Sequence, residues 1–422
     1  SVLFNSVVNV VIVASIPLYV ALPLSDSFDT MANWRILLIV LSICLFLKQG
    51  FSLKNLVKKD GWLKIKENLR NFSWFEASVA GFLFWGLLSL LVANYPVLVL
   101  KKFLFLINIF LLFFVIRKVA KTKEAIIKIW QAAATGGSIV LAVALCQIIA
   151  VLIIPLASFW QFWANKISRT FYGNELAHLL SFSNTWFAYY KNNPPTLRLF
   201  SVFPDSHSFA LFCVLLVPIF LSLAFYFRNQ EKIYHFYWLL TALALGGVAL
   251  SGSRGTWVAV IPAILVALYL YLKKIDSFFL NKILKTFFLF IVLFTIISLF
   301  WPPTLYLFEA WQEGKSINAS FSFFERARSV SDFNEISNKG RLEIWQRTIH
   351  SIARHPLFGV GWGNYAEVLD ENISVAKKGA SAHSLYLDIA AEMGLPGLFF
   401  LIALFYYIFY TAWLVWHSQN ES

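Results

Sequence analysis

The chain has 422 residues, 59% of them hydrophobic, 18% aromatic and 14% charged, with a net charge of +13. A water-soluble chain carries roughly 25% charged residues, so this composition excludes a soluble globular protein. The apolar runs are continuous and do not alternate over ~10-residue segments, which excludes a membrane barrel and leaves helices to satisfy the backbone in hydrocarbon.

A helix crosses the bilayer with about 20 apolar residues. In chain order, ten spans are expected at roughly 3–24, 33–48, 74–93, 97–116, 129–154, 207–227, 235–250, 256–272, 283–301 and 384–416. The first has no cleavage-site pattern after it and reads as a retained span. The last is too long for one simple helix. Residues 384–394 are expected as a short interfacial or re-entrant helix, with a true span from near Pro396. Cys44, Cys146 and Cys213 fall inside apolar runs without paired spacing and read as small core residues, implying neither a disulfide nor a metal. The expected fold class is an all-α polytopic integral membrane protein forming one membrane domain over 1–422.

Loop charge sets the orientation. Lys48, Lys54, Lys58, Lys59, Lys64, Lys66 and Arg70 share the 48–72 loop with only Asp60 and Glu67. Arg117, Lys118, Lys121, Lys123 and Lys128 stand in the 117–128 loop against Glu124, and Lys273, Lys274, Lys282 and Lys285 follow the eighth span. With ten spans these basic loops share one side, the cytoplasmic one, and both termini join them. The positive charge is then topogenic and in contact with membrane lipids; nucleic acid is not implied.

The opposite side receives two long segments, 155–206 and 302–383, and the short turn holding Arg254. Trp160, Trp163 and Trp186 read as an interfacial belt, and Arg198 lies just before the sixth span as an interfacial cation. From 302 to 382 there are nine Lys/Arg and nine Asp/Glu, so the loop is balanced and expected to fold. Within it, helix 341–354 is expected, with Leu342, Trp345, Ile349 and Ile352 as one apolar stripe edged by Arg341, Arg347 and Arg354. Gly340 and Pro356 bracket it as stop signals.

Three residues on this side carry chemistry. Arg254, in Ser251-Gly-Ser-Arg254-Gly, is an obligatory cation at a membrane boundary, which costs several kcal/mol (estimates run from ~3 to over 10) unless compensated. An anionic ligand supplies that compensation; a snorkelling arginine is the plainer reading. Arg341, at the expected helix start, faces the positive end of the helix dipole, and an anion there relieves it. His383, where the long loop re-enters the membrane, is either an interfacial cap or a general base. The glycine-rich His355–Tyr365 segment lacks a P-loop context and reads as a tight corner. No metal-binding spacing is present. The external arginines also fit a transporter or flippase for an anionic solute or lipid, although the charges are peripheral and no clear internal repeat is seen.

Four stretches in order, Ser251-Gly-Ser-Arg254-Gly, Gly340-Arg341 with Trp345, His355-Pro-Leu-Phe-Gly359-Val-Gly361, and His383-Ser-Leu-Tyr-Leu with Glu392-Met-Gly394-Leu-Pro-Gly397, resemble the O-antigen ligase and polymerase family of bacterial envelope glycosyltransferases. The resemblance covers roughly 240–410. It implies a GT-C-like membrane glycosyltransferase architecture with the active site on the periplasmic side of the inner membrane. It further implies metal-independent, inverting transfer of a glycan from undecaprenyl diphosphate to a glycan or lipid-core acceptor. Carried over by motif, Arg254 and Arg341 engage the diphosphate and His383 is the base, with Arg198 a looser match for a further substrate-binding arginine. Ser384 stands where the family pattern often has Asn.

Overall fold

The computed structural model describes residues 11–18, 21–22, 31–48, 73–181, 186–190, 193–253, 255–257, 259, 262, 265, 281, 284–297, 336–369 and 381–420. The protein is an all-α integral membrane protein with two small hairpins. Its helices are α1 (Asn33–Lys48), α2 (Trp74–Leu88), α3 (Pro96–Val119), α4 (Lys123–Ile153), α5 (Leu156–Phe162), α6 (Ser168–Ser181), α7 (Ser206–Tyr226), α8 (Glu231–Leu250), α9 (Leu284–Ile297), α10 (Ile336–Arg354) and α11 (Leu385–Asn420). Among the described residues six helices are long and apolar enough to span: Trp74–Leu91, Pro96–Val119, Lys123–Ile153, Ser206–Tyr226, Glu231–Leu250 and Leu385–Val415. Two more expected spans coincide with the shorter apolar helices Asn33–Ile43 and Leu284–Ile297. The expected span 256–272 and the basic 48–72 loop lie wholly or mostly outside the described residues.

The first expected span is corrected. Helical residues 11–15 end in a turn at 16–18, and Ala21–Leu22 pair antiparallel with Met31–Ala32 as β1 and β2. Pro17 explains the stop, because a proline disfavours helical geometry in the residue before it and donates no hydrogen bond.

Local chemistry sets the helix starts. Ser73 caps α2 in a reciprocal box with Glu76, Thr122 caps α4 by accepting from Ala125 N–H, and Asp205 caps α7 through Ser208. The expected 117–128 loop is only a three-residue turn between α3 and α4.

The chain groups into two compact units, Ser1–Leu41 with Ile116–Val330, and Ser42–Val115 with Ser331–Ser422. In the first unit α7 and α8 form a helical hairpin packed on α4, around Val140, Phe209, Leu216, Phe220 and Ala244. Gly137 lets α4 approach closely: a Cβ there stands 2.6 Å from Leu216. Segment 155–206 is mostly structured, by α5, a π-turn at Trp163–Ile167, α6, and the antiparallel β3 (Phe187–Tyr190) and β4 (Asn193–Leu197). Its tryptophans correct the expected belt. Trp186 is fully buried, edge-on to Trp160 and stacked on Phe200 at 4.3 Å, and its indole N–H donates to Pro204 O at 2.7 Å. Folding the hairpin inward gives the indole an internal acceptor and so removes its need for the interface. Cys213 is a buried core residue as expected, whereas Cys146 is exposed.

In the second unit α2 and α10 pack on α11. Gly394 breaks α11 at φ 72, so the short approach Leu385–Met393 is followed by a long span, as the Pro396 reading expects. The glycine corner docks into this break. Val360 N–H donates to Ala391 O, Gly361 N–H to Glu392 O and Leu395 N–H to Pro356 O, at 2.8–3.0 Å. Gly359, Gly361 and Gly363 all have positive φ, and Trp85 ties the corner down by donating to Leu357 O and Met393 O while stacking on Phe358.

Candidate functional site

Helix α10 begins at Ile336, earlier than Gly340 predicts, and Gly340 is a buried residue within it. Arg341 therefore stands more than a turn inside the helix, and the expected pairing of Arg341 with the helix N-terminus is corrected. Glycine is tolerated there because the helix needs a small residue where it packs. The buried line is Gly340, Ile344 and Thr348 at intervals of four, with Ile352 joining its edge. Of the expected apolar stripe only Ile352 packs on the protein; Leu342, Trp345 and Ile349 are exposed. The Thr348 and Tyr365 hydroxyls meet at 2.5 Å within this contact. Burial pushes the Tyr365 phenol up to about 12, so it serves as a neutral hydrogen-bonding group.

This seating brings Arg341 to His383. Trp345, one turn after Arg341, donates its indole N–H to Ala382 O at 2.7 Å. Asp388 accepts from Ala382 N–H at 2.7 Å, so both polar groups of the buried Ala382 peptide are held by side chains. His383 follows with φ 52, a conformation uncommon for a residue with a Cβ, and its N–H donates to Ser381 Oγ at 3.2 Å. Such strain persists only where neighbours over-determine it, and the two bonds at Ala382 do so. Partial withdrawal from water pulls the His383 imidazole below its ordinary value, the Arg341 guanidinium pulls the same way, and the Asp388 carboxylate opposes both. Arg341 and Asp388 thus act on the His383 ring with opposite signs.

Behind them Glu392 is buried, with Lys102 Nζ 3.7 Å from its carboxylate and the backbone amides of Gly363 and Tyr365 facing it. It fastens the glycine corner to α11. Glu392 opens the Glu392-Met-Gly394-Leu-Pro-Gly397 stretch, whereas Asp388 is signalled only by its acidity in an apolar helix; Lys102 is a similar lone charge in α3.

The other arginines belong to the first unit. Arg254 lies outside the described residues, but its neighbours are placed. Gly252 has φ 63, and Ser253 is buried, with its hydroxyl 2.9 Å from His207 Nδ1 and 2.7 Å from Thr256 Oγ1. Arg198 Nε donates to Ser251 O at 2.9 Å and Nη2 to Gly252 O at 3.3 Å, so this guanidinium holds the turn that precedes Arg254. Beside the turn is a cavity of about 640 Å³, with His207, Ser253, Gly255 and Thr256 at a polar edge and Leu211, Val214, Leu245 and Phe290 among its apolar walls. The sequence analysis did not single out His207, whose signal is an imidazole two residues after the N-capping Asp205.

Comparison with known proteins agrees with this arrangement. A 200-residue stretch is 25% identical to an uncharacterized protein of Haemophilus influenzae, covering 44% of this chain and 47% of that relative, so the match spans about half the relative's length. Residues 239–402 match the family described as O-antigen ligase. This segment runs from α8 through the Ser251 turn, α10, the glycine corner and His383 into α11, and over it the chain is similar to the O-antigen ligase family.

Proposed function

We propose that this protein transfers a glycan from undecaprenyl diphosphate to a sugar hydroxyl of a glycan or lipid-core acceptor, at the outer face of the plasma membrane. The observation that carries the reading is His383, held in a strained conformation beside Arg341 and Asp388 with its imidazole kept neutral. The similarity of residues 239–402 to the O-antigen ligase family supports glycan transfer in envelope polysaccharide synthesis.

In the proposed step the acceptor oxygen attacks the anomeric carbon as His383 takes its proton. The bond from that carbon to the diphosphate oxygen breaks, and undecaprenyl diphosphate leaves with the electron pair, inverting the centre. General-base help of this kind contributes about 10²–10⁴-fold. Arg341, carried over from its motif, is proposed to meet charge developing on the diphosphate. Arg254, taken from its motif, is the second cation, and Arg198 supports the turn before it. The cavity beside that turn has the polar edge and apolar walls that a polyprenyl diphosphate needs. The reaction is proposed to need no metal, and the architecture to be GT-C-like.

The test is transfer by purified protein from a defined undecaprenyl-diphosphate glycan, with and without EDTA. Arg254→Ala, Arg341→Ala and His383→Ala are each expected to abolish transfer while leaving folded protein. Full activity in any one removes that residue from the mechanism, and loss of activity in EDTA overturns the metal-free step. Lipid scrambling in liposomes without any product replaces the reading with a flippase.

A further inference from the structure

Helix α10 has a side that the reaction above does not use. At 3.6 residues per turn, Glu343, Arg347, His350 and Arg354 fall on the side of the helix facing away from Arg341 and Trp345. Together with His355 and Glu367 they line a cavity of about 810 Å³. That size lies within the roughly 300–1,000 Å³ of small-molecule sites.

The lining is unusual in its balance. Two carboxylates, two guanidiniums and two imidazoles share the cleft, and Arg347 Nη2 lies 3.8 Å from Glu343 Oε1. A lipid tail finds few apolar walls here, and a polyphosphate meets as many carboxylates as guanidiniums. Among the described residues Glu367 Oε1 is a buried acceptor without a hydrogen-bond donor, while Asn94 Nδ2 anchors the other oxygen at 2.7 Å. The carboxylates and guanidiniums lining the cleft favour a ligand whose groups both donate and accept hydrogen bonds, as O–H groups do. Sugars fit this chemistry. Each hydroxyl both donates and accepts, matching carboxylates and guanidiniums side by side, and planar Arg and His faces pack on the ring C–H surface.

We propose that this cleft is a carbohydrate subsite that holds an uncharged stretch of the glycan several sugars away from the bond being made. His350 is about 14 Å from Arg341 along the helix axis, which separates the subsite from His383 by more than one sugar. The inference rests on the glycan-transfer reading above. Its chemistry is shared by the donor chain and the acceptor chain. The cleft makes the enzyme prefer longer glycans by retaining the chain between encounters with the reacting residues.

The experiment uses the full chain in detergent and oligosaccharides of one, two and four repeat units, released by mild acid from the polysaccharide of the producing cell. Binding of these free fragments is read by saturation-transfer NMR, with no lipid or diphosphate present. Affinity is expected to rise at least fivefold from one repeat to four, and the exposed-residue double variant H350A/R354A is expected to remove that rise. Transfer assays then vary donor length and acceptor length separately; the arm whose KM falls with length identifies which chain occupies the cleft. Length-independent binding in the native protein, or a length dependence untouched in the double variant, overturns the subsite. If no donor of any length is transferred while the fragments still bind through His350 and Arg354, the transfer reading fails and the carbohydrate site stands.

Discussion

The indole N–H of Trp345 donates to the carbonyl of Ala382 at 2.7 Å, and this bond fixes the helix carrying Arg341 against the residue before His383. Ala382 is fully buried, so its carbonyl has no water to fall back on. Trp345→Phe keeps the ring and removes the donor, leaving a buried acceptor unsatisfied at a cost of about 1–3 kcal/mol. We expect kcat/KM for glycan transfer to fall roughly tenfold, about 1.4 kcal/mol of transition-state stabilisation. Steady-state kinetics on protein that remains folded at the assay temperature checks this; unaltered kinetics removes the bond from the site's design.

The pH profile reports on His383. The neutral ring is the base, so activity is full above its pKa and is lost as pH falls through it. Because desolvation and Arg341 lower that pKa, the acid limb of the native protein is expected below an imidazole's ordinary value of about 6.5. Arg341→Gln removes a lowering influence and moves the limb up; Asp388→Asn removes the raising influence and moves it down. The Asn variant keeps an oxygen to accept from Ala382 N–H. Opposite displacements in the two variants are the signature, whatever happens to the maximal rate.

Gly394 is the least replaceable glycine. Its φ of 72 and ψ of −177 lie in a region essentially reserved for glycine, and an added Cβ runs into the carbonyls of Pro356 and Leu357. Gly394→Ala is expected to cost more than about 3 kcal/mol, combining backbone strain with displacement of the glycine corner. Gly255→Ala, where a Cβ meets no atom within 4 Å, is the control and should melt as the native protein does. Equal melting of both variants contradicts the packing described.

Arg198 contributes through the turn it holds. Its guanidinium serves two carbonyls with a planar fork that an ammonium does not reproduce. Arg198→Ala is expected to destabilise the protein by about 1–2 kcal/mol, after allowance for partial exposure. Arg198→Lys should recover less than half. Thermal unfolding in one detergent compares the three proteins, and full recovery by lysine argues against the forked contact.

Much of the architecture was legible as hydrophobic run length. The spans at 74–93, 97–116, 129–154, 207–227 and 235–250 recur within a few residues as helices, because an apolar run in lipid has no other way to satisfy its backbone. The break in the last run and the tight corner at Gly359–Gly363 were also legible, since glycine and proline constrain the chain locally. What the runs concealed were short-range reversals. Residues 16–18 and 21–22 leave the helix despite their apolar character, and Trp186 turns inward because a hairpin supplies it with Phe200 and Pro204. Periodicity put an apolar stripe on α10, but a different side of the helix packs. Gly340, Ile344 and Thr348 are buried in place of Leu342, Trp345 and Ile349.

The sequence by itself determined that this protein is built of membrane helices, because apolar runs in lipid have no other way to satisfy their backbones. Only the tertiary structure decided that the helix of Arg341 is tied to the residue before His383 and that Arg198 is engaged with backbone carbonyls. Those outcomes depend on pairings between residues 37 to 54 positions apart, such as Trp345 with Ala382 and Arg198 with Gly252. Side-chain hydrogen bonds over such distances are selected by how helices pack, and local periodicity carries no record of them.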